Sequence, residues 1–174
     1  MKAALTVLAT VFAAICQVTV APLFPVAGVE VEFVLLTLIC VAAFGSPQRA
    51  MVAIPVAALS YGFLADRAPG LLLLGYMPIL PLMLYLEEAP IPLNHYAGTL
   101  LAMVSVGVWL RLLMVISALL AGATAGPGDV LRHALLPGVF LDFALLSIAY
   151  LPLRLLGWSG RGMALRRGTY YSSL

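Results

Sequence analysis

Two ionisable side chains stand inside long apolar runs: Arg111, in the run from Tyr96 to Ala121, and Asp142, in the run from Val130 to Leu151. A charge inside hydrocarbon is costly, and it is kept where it is paired or where it handles a substrate or a proton. With the first of these runs entering from the cytoplasmic side near Tyr96, Arg111 lies about 22 Å along it at the helical rise per residue. With the second entering from the opposite side near Arg132, Asp142 lies about 15 Å down by the same rise. The two depths differ by less than the reach of an arginine side chain. The pair is therefore expected to meet across adjacent helices, which lowers the cost of both charges. A buried brace is preferred to a substrate or proton site, because no second carboxylate is expected at that depth.

The other chemistry-bearing residues read more plainly. Asp66–Arg67 is expected to be a turn with a helix-end charge, and Glu87–Glu88 an interfacial acidic pair. His95 and His133 lie near the ends of apolar runs without a partner at ligand spacing. Cys16 and Cys40 each sit inside an apolar run and read as small packing residues, not as a disulfide or thiol site. There is no HExxH, no GxSxG and no GxxxxGK[ST], so metalloprotease, hydrolase and ATPase chemistry have no footing. No catalytic residue, no cofactor and no metal is expected. An intramembrane enzyme would need paired acid and base groups at one depth.

The elements that carry these residues follow from composition. The 174-residue chain is 64% hydrophobic and 9% charged, with a mean hydropathy of +1.12. A soluble domain carries about 25% charged residues, so most of this surface must face lipid. A spanning helix takes about 20 residues. The expected fold is an all-α polytopic bundle of about six transmembrane helices with short loops.

The six expected spans are Ala4–Ala21, Val31–Phe44, Ala50–Ala65, Gly70–Leu86, Tyr96–Ala121 and Val130–Leu151. The uncharged run from Ala3 to Val29 has no polar mature domain behind it, so the first span reads as an anchor instead of a cleaved signal. Gln17 and Thr19 are its polar residues, and interhelical hydrogen bonding is expected of them. The second span is short and is preceded by Glu30 and Glu32. The third is rich in small residues, with Ala53 and Ala57, then Ala58 and Gly62, each four apart. Small residues one turn apart let helix backbones approach closely, so this helix is expected at the centre of the bundle, kinked at Pro55. Pro78 and Pro81 remove two backbone donors from the fourth span, which is expected to bend or unwind.

With six spans both termini share a side. That side holds Lys2, Arg49, Arg154, Arg161, Arg166 and Arg167, against Arg67 and Arg132 opposite. The excess of basic residues places both termini in the cytoplasm. Residues 1–158 are expected to form one transmembrane domain, with 159–174 a basic cytoplasmic tail and Trp158 an interface anchor.

Two regions carry a family resemblance. One runs from Phe33 to Leu86: an apolar span, a short basic turn around Gln48–Arg49, a small-residue span ending YGFLAD, then LLLLGYMPILPLMLYL, with Gly62, Phe63, Asp66, Leu74 and Gly75 as its marks. The other is LLPGVFLDFALLSIAYLPLRLL, a proline-led helix running into a basic tail. In these the chain resembles the rod shape-determining MreD family. Asp142 stands where that family is expected to have an uncharged polar residue such as Asn. The resemblance implies a non-enzymatic subunit of the bacterial cell-wall elongation machinery in the cytoplasmic membrane. It implies MreC as a direct partner, with RodA, a class B penicillin-binding protein and MreB in the same assembly. Ala53, Ala57, Ala58, Gly62, Asp66, Arg67, Arg111 and Asp142 are the residues expected to pack the bundle or to meet a partner.

A different class shares the span count. The substrate-binding subunit of an energy-coupling-factor vitamin transporter also has about six spans, and Ala9–x–x–x–Ala13 is similar to its coupling motif. Such a carrier needs a polar pocket open to the outside, for which Glu30, Glu32, Asp66 and Arg67 are the available residues.

Overall fold

The computed structural model describes residues 2–25, 28–88, 94–122 and 135–155. Among the described residues seven α-helices follow one another: α1 (Lys2–Thr19), α2 (Phe33–Phe44), α3 (Pro47–Leu64), α4 (Pro69–Tyr76), α5 (Ile79–Glu88), α6 (His95–Leu120) and α7 (Leu136–Leu155). A single 3₁₀ turn, Ala21–Leu23, closes α1. No strand occurs among the described residues. Among the described residues four segments are long and apolar enough to cross a membrane: Ala3–Leu23, Pro69–Leu86, His95–Leu120 and Leu136–Arg154. Large apolar side chains such as Leu5, Leu8, Phe12, Phe140, Ile148 and Leu151 point outward, as they do when the solvent is hydrocarbon. The chain is an all-α polytopic membrane protein.

α2 occupies the middle of the bundle, packed against α1, α3, α5, α6 and α7. It is apolar on every side, as a helix surrounded by others must be. Val34, Leu35, Leu38 and Ile39 are fully buried along it. The small-residue helix α3 packs against α1, α2, α4 and α5, and turns Met51, Val52, Leu59 and Phe63 outward.

Prolines set several boundaries, not all as the sequence suggested. Pro47 occupies the first turn of α3, where its missing N–H costs nothing, so Gln48 and Arg49 belong to the helix and not to a loop. These two polar residues keep α3 below the apolarity of the four spanning segments. Pro55 is accommodated inside α3, and Pro152 lies inside α7, which runs on to Leu155 instead of stopping before it. Pro78 does break its span: α4 ends at Tyr76 and α5 begins at Ile79. Pro78 has no N–H to offer the carbonyl of Leu74 four residues earlier. The indole Nε1–H of Trp109 on α6 donates to that carbonyl at 3.3 Å. A backbone acceptor freed at membrane depth is thereby satisfied by a neighbouring helix.

The bundle has two distinguishable ends. At one, α2 ends, α6 begins and α7 ends. There His95 on α6 stands 3.1 Å from the Tyr150 hydroxyl of α7 and 3.3 Å from the Ala43 carbonyl of α2. Phe44 packs on both rings, and Tyr96 and Ser147 share a 2.7 Å hydrogen bond beside them. At the other end the α3–α4 turn places Arg67 beside Met114 of α6, with Nη1 3.4 Å from the sulfur.

Candidate functional site

Arg111 and Asp142 meet as expected. Nη1 of Arg111 donates to Oδ2 of Asp142 at 2.6 Å and Nη2 donates to Oδ1 at 3.1 Å. This is the fork-to-fork geometry that makes a guanidinium–carboxylate pair strong and directional. The side chains are 8% and 1% exposed, so the pair is screened by protein and not by water. It is the one ion pair among the described residues.

Two glycines make room for it. Gly107 lies one helical turn before Arg111 on α6, and Gly138 one turn before Asp142 on α7. A Cβ on Gly107 would meet the Asp142 carboxylate and come within 2.9 Å of Arg111 Nη1. A Cβ on Gly138 would come within 2.9 Å of Arg111 Nη2. Each charge thus lies over the bare backbone of the opposite helix. A third close approach, Gly75 of α4 against Leu110, seats α4 on α6 beside the pair. The spacing of glycine one turn ahead of each buried charge is legible in the sequence, though only the charges had been singled out.

A second carboxylate acts on the pair. Glu32, one of the residues available for a pocket open to the outside, stands immediately before α2, and Arg111, Asp142, Arg67 and Glu30 are the charges that act on it. The cause is the length of α2. Twelve residues rise about 18 Å, short of the roughly 30 Å hydrocarbon core, so the N-terminus of α2 stops inside the bundle.

An N-terminus at that depth leaves backbone N–H groups without water. Gln17 of α1 supplies their acceptor: its Oε1 receives Phe33 N–H at 2.7 Å and Val34 N–H at 3.4 Å. Its Nε2 donates to the Val31 carbonyl at 2.8 Å. One buried amide from a neighbouring helix therefore does the work of a cap, while the Glu32 side chain makes no capping bond.

Glu32 is half-buried, and its Oε2 is fully enclosed without a hydrogen-bond partner. The fully buried Tyr76 of α4 also has a hydroxyl without a partner. Glu32 is the charge that acts most strongly on it. Sequence reasoning missed Tyr76, and it named Glu32 only for a pocket open to the outside.

The remaining candidate residues have structural places. Asp66 adopts a left-handed conformation, φ 51°, and Arg67 N–H donates to the Gly62 carbonyl at 2.9 Å, closing α3 with a turn. The Arg67 guanidinium lies 5.6 Å from the centre of the Tyr61 ring, a cation–π distance. Ala53, Ala57, Ala58 and Gly62 are all buried by the chain's own helices. They serve packing within the bundle and are not open to another protein. No cluster of metal-ligating side chains occurs among the described residues, and Cys16 and Cys40 are free thiols. The side chains of Lys2, Glu87 and Glu88, and the whole of Asp129, Arg132, His133, Trp158 and the basic tail 159–174, lie outside the described residues.

Chemically the arrangement divides in two. Arg111 and Asp142 satisfy each other and leave no free acid or base. Glu32 and Tyr76 are polar, enclosed and unsatisfied. No family model, no curated protein and no solved structure matches the chain.

Proposed function

We propose that the chain is a non-enzymatic integral-membrane subunit of the bacterial cell-wall elongation complex. In this reading it binds MreC directly and works beside RodA, a class B penicillin-binding protein and MreB to maintain cell shape. It would lie in the cytoplasmic membrane with both termini in the cytoplasm. The observation that supports a structural over a catalytic role is the closed geometry of Arg111 and Asp142. Nη1 and Nη2 of Arg111 each donate to one oxygen of the Asp142 carboxylate, and glycine backbones wall the pair in. A reacting acid or base needs a free position toward its substrate, and both oxygens of this carboxylate are engaged by Arg111. The family marks Gly62, Phe63, Asp66, Leu74 and Gly75 supply the choice of complex.

The partner surface in this reading is a lipid-facing one, since α3's small residues are consumed inside the bundle. The experiment is mild-detergent purification of the tagged chain from its native membrane. Co-purification of MreC at fixed stoichiometry is the expected result, and its absence under conditions that keep the chain folded would remove the reading.

A second reading is a small-solute carrier related to the vitamin-binding subunits of energy-coupling-factor transporters. It is favoured by the enclosed, unpartnered Glu32 Oε2 and Tyr76 Oη. A small molecule recovered with the chain from native membrane, without MreC, would establish it in place of the first.

A further inference from the structure

The deepest unsatisfied chemistry in the molecule is at the N-terminus of α2. Every element around Glu32 contributes a polar or charged group. Glu30 comes from its own segment, Gln17 from α1, and Tyr61 from α3 with Arg67 just beyond it. Tyr76 comes from α4, Arg111 from α6 and Asp142 from α7. Among the charged members two cations stand against three carboxylates, which leaves one negative charge in excess. Arg111 acts on Glu32, but its charge is already matched by Asp142, to which Nη1 and Nη2 donate. Arg67 is exposed and turned to the Tyr61 ring and Met114. Gln17 is committed to the backbone of α2. The uncompensated charge therefore rests on Glu32, whose Oε2 is enclosed, and the nearby Tyr76 offers a hydroxyl that is equally enclosed and equally unpartnered.

We propose that Glu32 Oε2 and Tyr76 Oη form an internal binding site for a single monovalent positive charge, a proton or an alkali ion. Both are the same chemistry at this position: a cation that neutralises the carboxylate and gives the phenolic oxygen a partner. A buried carboxylate without a counter-charge is too costly to persist in that form. The partial exposure of Glu32 beside the enclosed Oε2 provides the route of entry. The site does not rest on the scaffold reading, since a cation could tune either an assembly subunit or a carrier.

The test uses the purified full chain in lipid nanodiscs. In one arm, NaCl or KCl replaces choline chloride at pH 8 and constant ionic strength. In the other, pH is lowered from 8 to 5 in choline chloride alone, and the infrared carbonyl band of a protonated carboxyl is followed. The wild-type melting temperature is expected to rise by about 2–4 °C for each 1 kcal/mol of binding. The rise should be absent in Glu32→Gln and reduced in Tyr76→Phe. A response to NaCl or KCl identifies an alkali ion. A response to pH alone, with a carboxyl band missing from Glu32→Gln, identifies a proton. Identical behaviour of wild type and both variants in both arms overturns the site. Should Glu32→Gln fail to fold, Tyr76→Phe decides alone: a diminished response supports the site and an unchanged one refutes it.

Discussion

Gly138 of α7 lies directly against the guanidinium of Arg111, close enough that a Cβ there would stand 2.9 Å from Nη2. Gly107 of α6 stands in the reciprocal relation to Asp142. A single methyl group on either helix would have to push the ion pair off its geometry.

Gly138→Ala and Gly107→Ala are each expected to destabilise the bundle by about 1–3 kcal/mol, the cost of overpacking a filled interior. Gly98→Ala is the control, since a Cβ there meets nothing within 4 Å. It should be neutral or slightly stabilising, because alanine is the better helix former by roughly 0.5–1 kcal/mol. Thermal melts in detergent, followed by helical circular dichroism, distinguish the three. Equal melting temperatures for all of them would mean that the glycines are not seats for the pair.

Removing one member of the pair should be worse than removing both. Arg111→Met or Asp142→Leu alone leaves a buried charge without its partner, which costs about 3–5 kcal/mol. The double variant Arg111→Met with Asp142→Leu leaves none and should recover most of that loss. The charge swap Arg111→Asp with Asp142→Arg should likewise be better tolerated than either single reversal. Additive losses in these cycles would show that the two residues do not act together.

Gln17→Leu keeps the bulk of the side chain and deletes its hydrogen bonds to Val31, Phe33 and Val34. Unsatisfied backbone groups at that depth should cost about 1–3 kcal/mol. Hydrogen exchange localises the effect: the amides of Phe33 and Val34 should lose protection while those in the middle of α6 keep theirs. Unchanged exchange at α2 would show that another group caps the helix.

Much of the architecture was legible because hydrocarbon imposes a simple code. Uncharged runs bounded by charges gave the helices, and the missing N–H of Pro78 gave the break between α4 and α5. The meeting of Arg111 and Asp142 followed from helical rise alone, because both residues lie on spans whose ends could be placed. Glu32 could not be placed that way. Its depth depends on where α2 begins relative to Gln17, a set of tertiary contacts between residues 14, 16 and 17 positions apart in the chain. The twelve-residue length of α2 was the available signal, and a short apolar run preceded by carboxylates reads equally well as a surface loop. The burial of Ala53, Ala57, Ala58 and Gly62 was likewise undecidable from spacing. A small-residue face serves an internal neighbour as readily as an external one.

The dependence of α2 on a side chain from α1 bears on how the protein is made. Twelve apolar residues led by a carboxylate are a poor substrate for partitioning out of the translocon unaided. α1 carries the amide that completes the turn, and it leaves the ribosome first. α1 and α2 are therefore expected to enter the bilayer together as a hairpin, and a lesion at Gln17 should surface as failed membrane integration before it surfaces as a weakened fold.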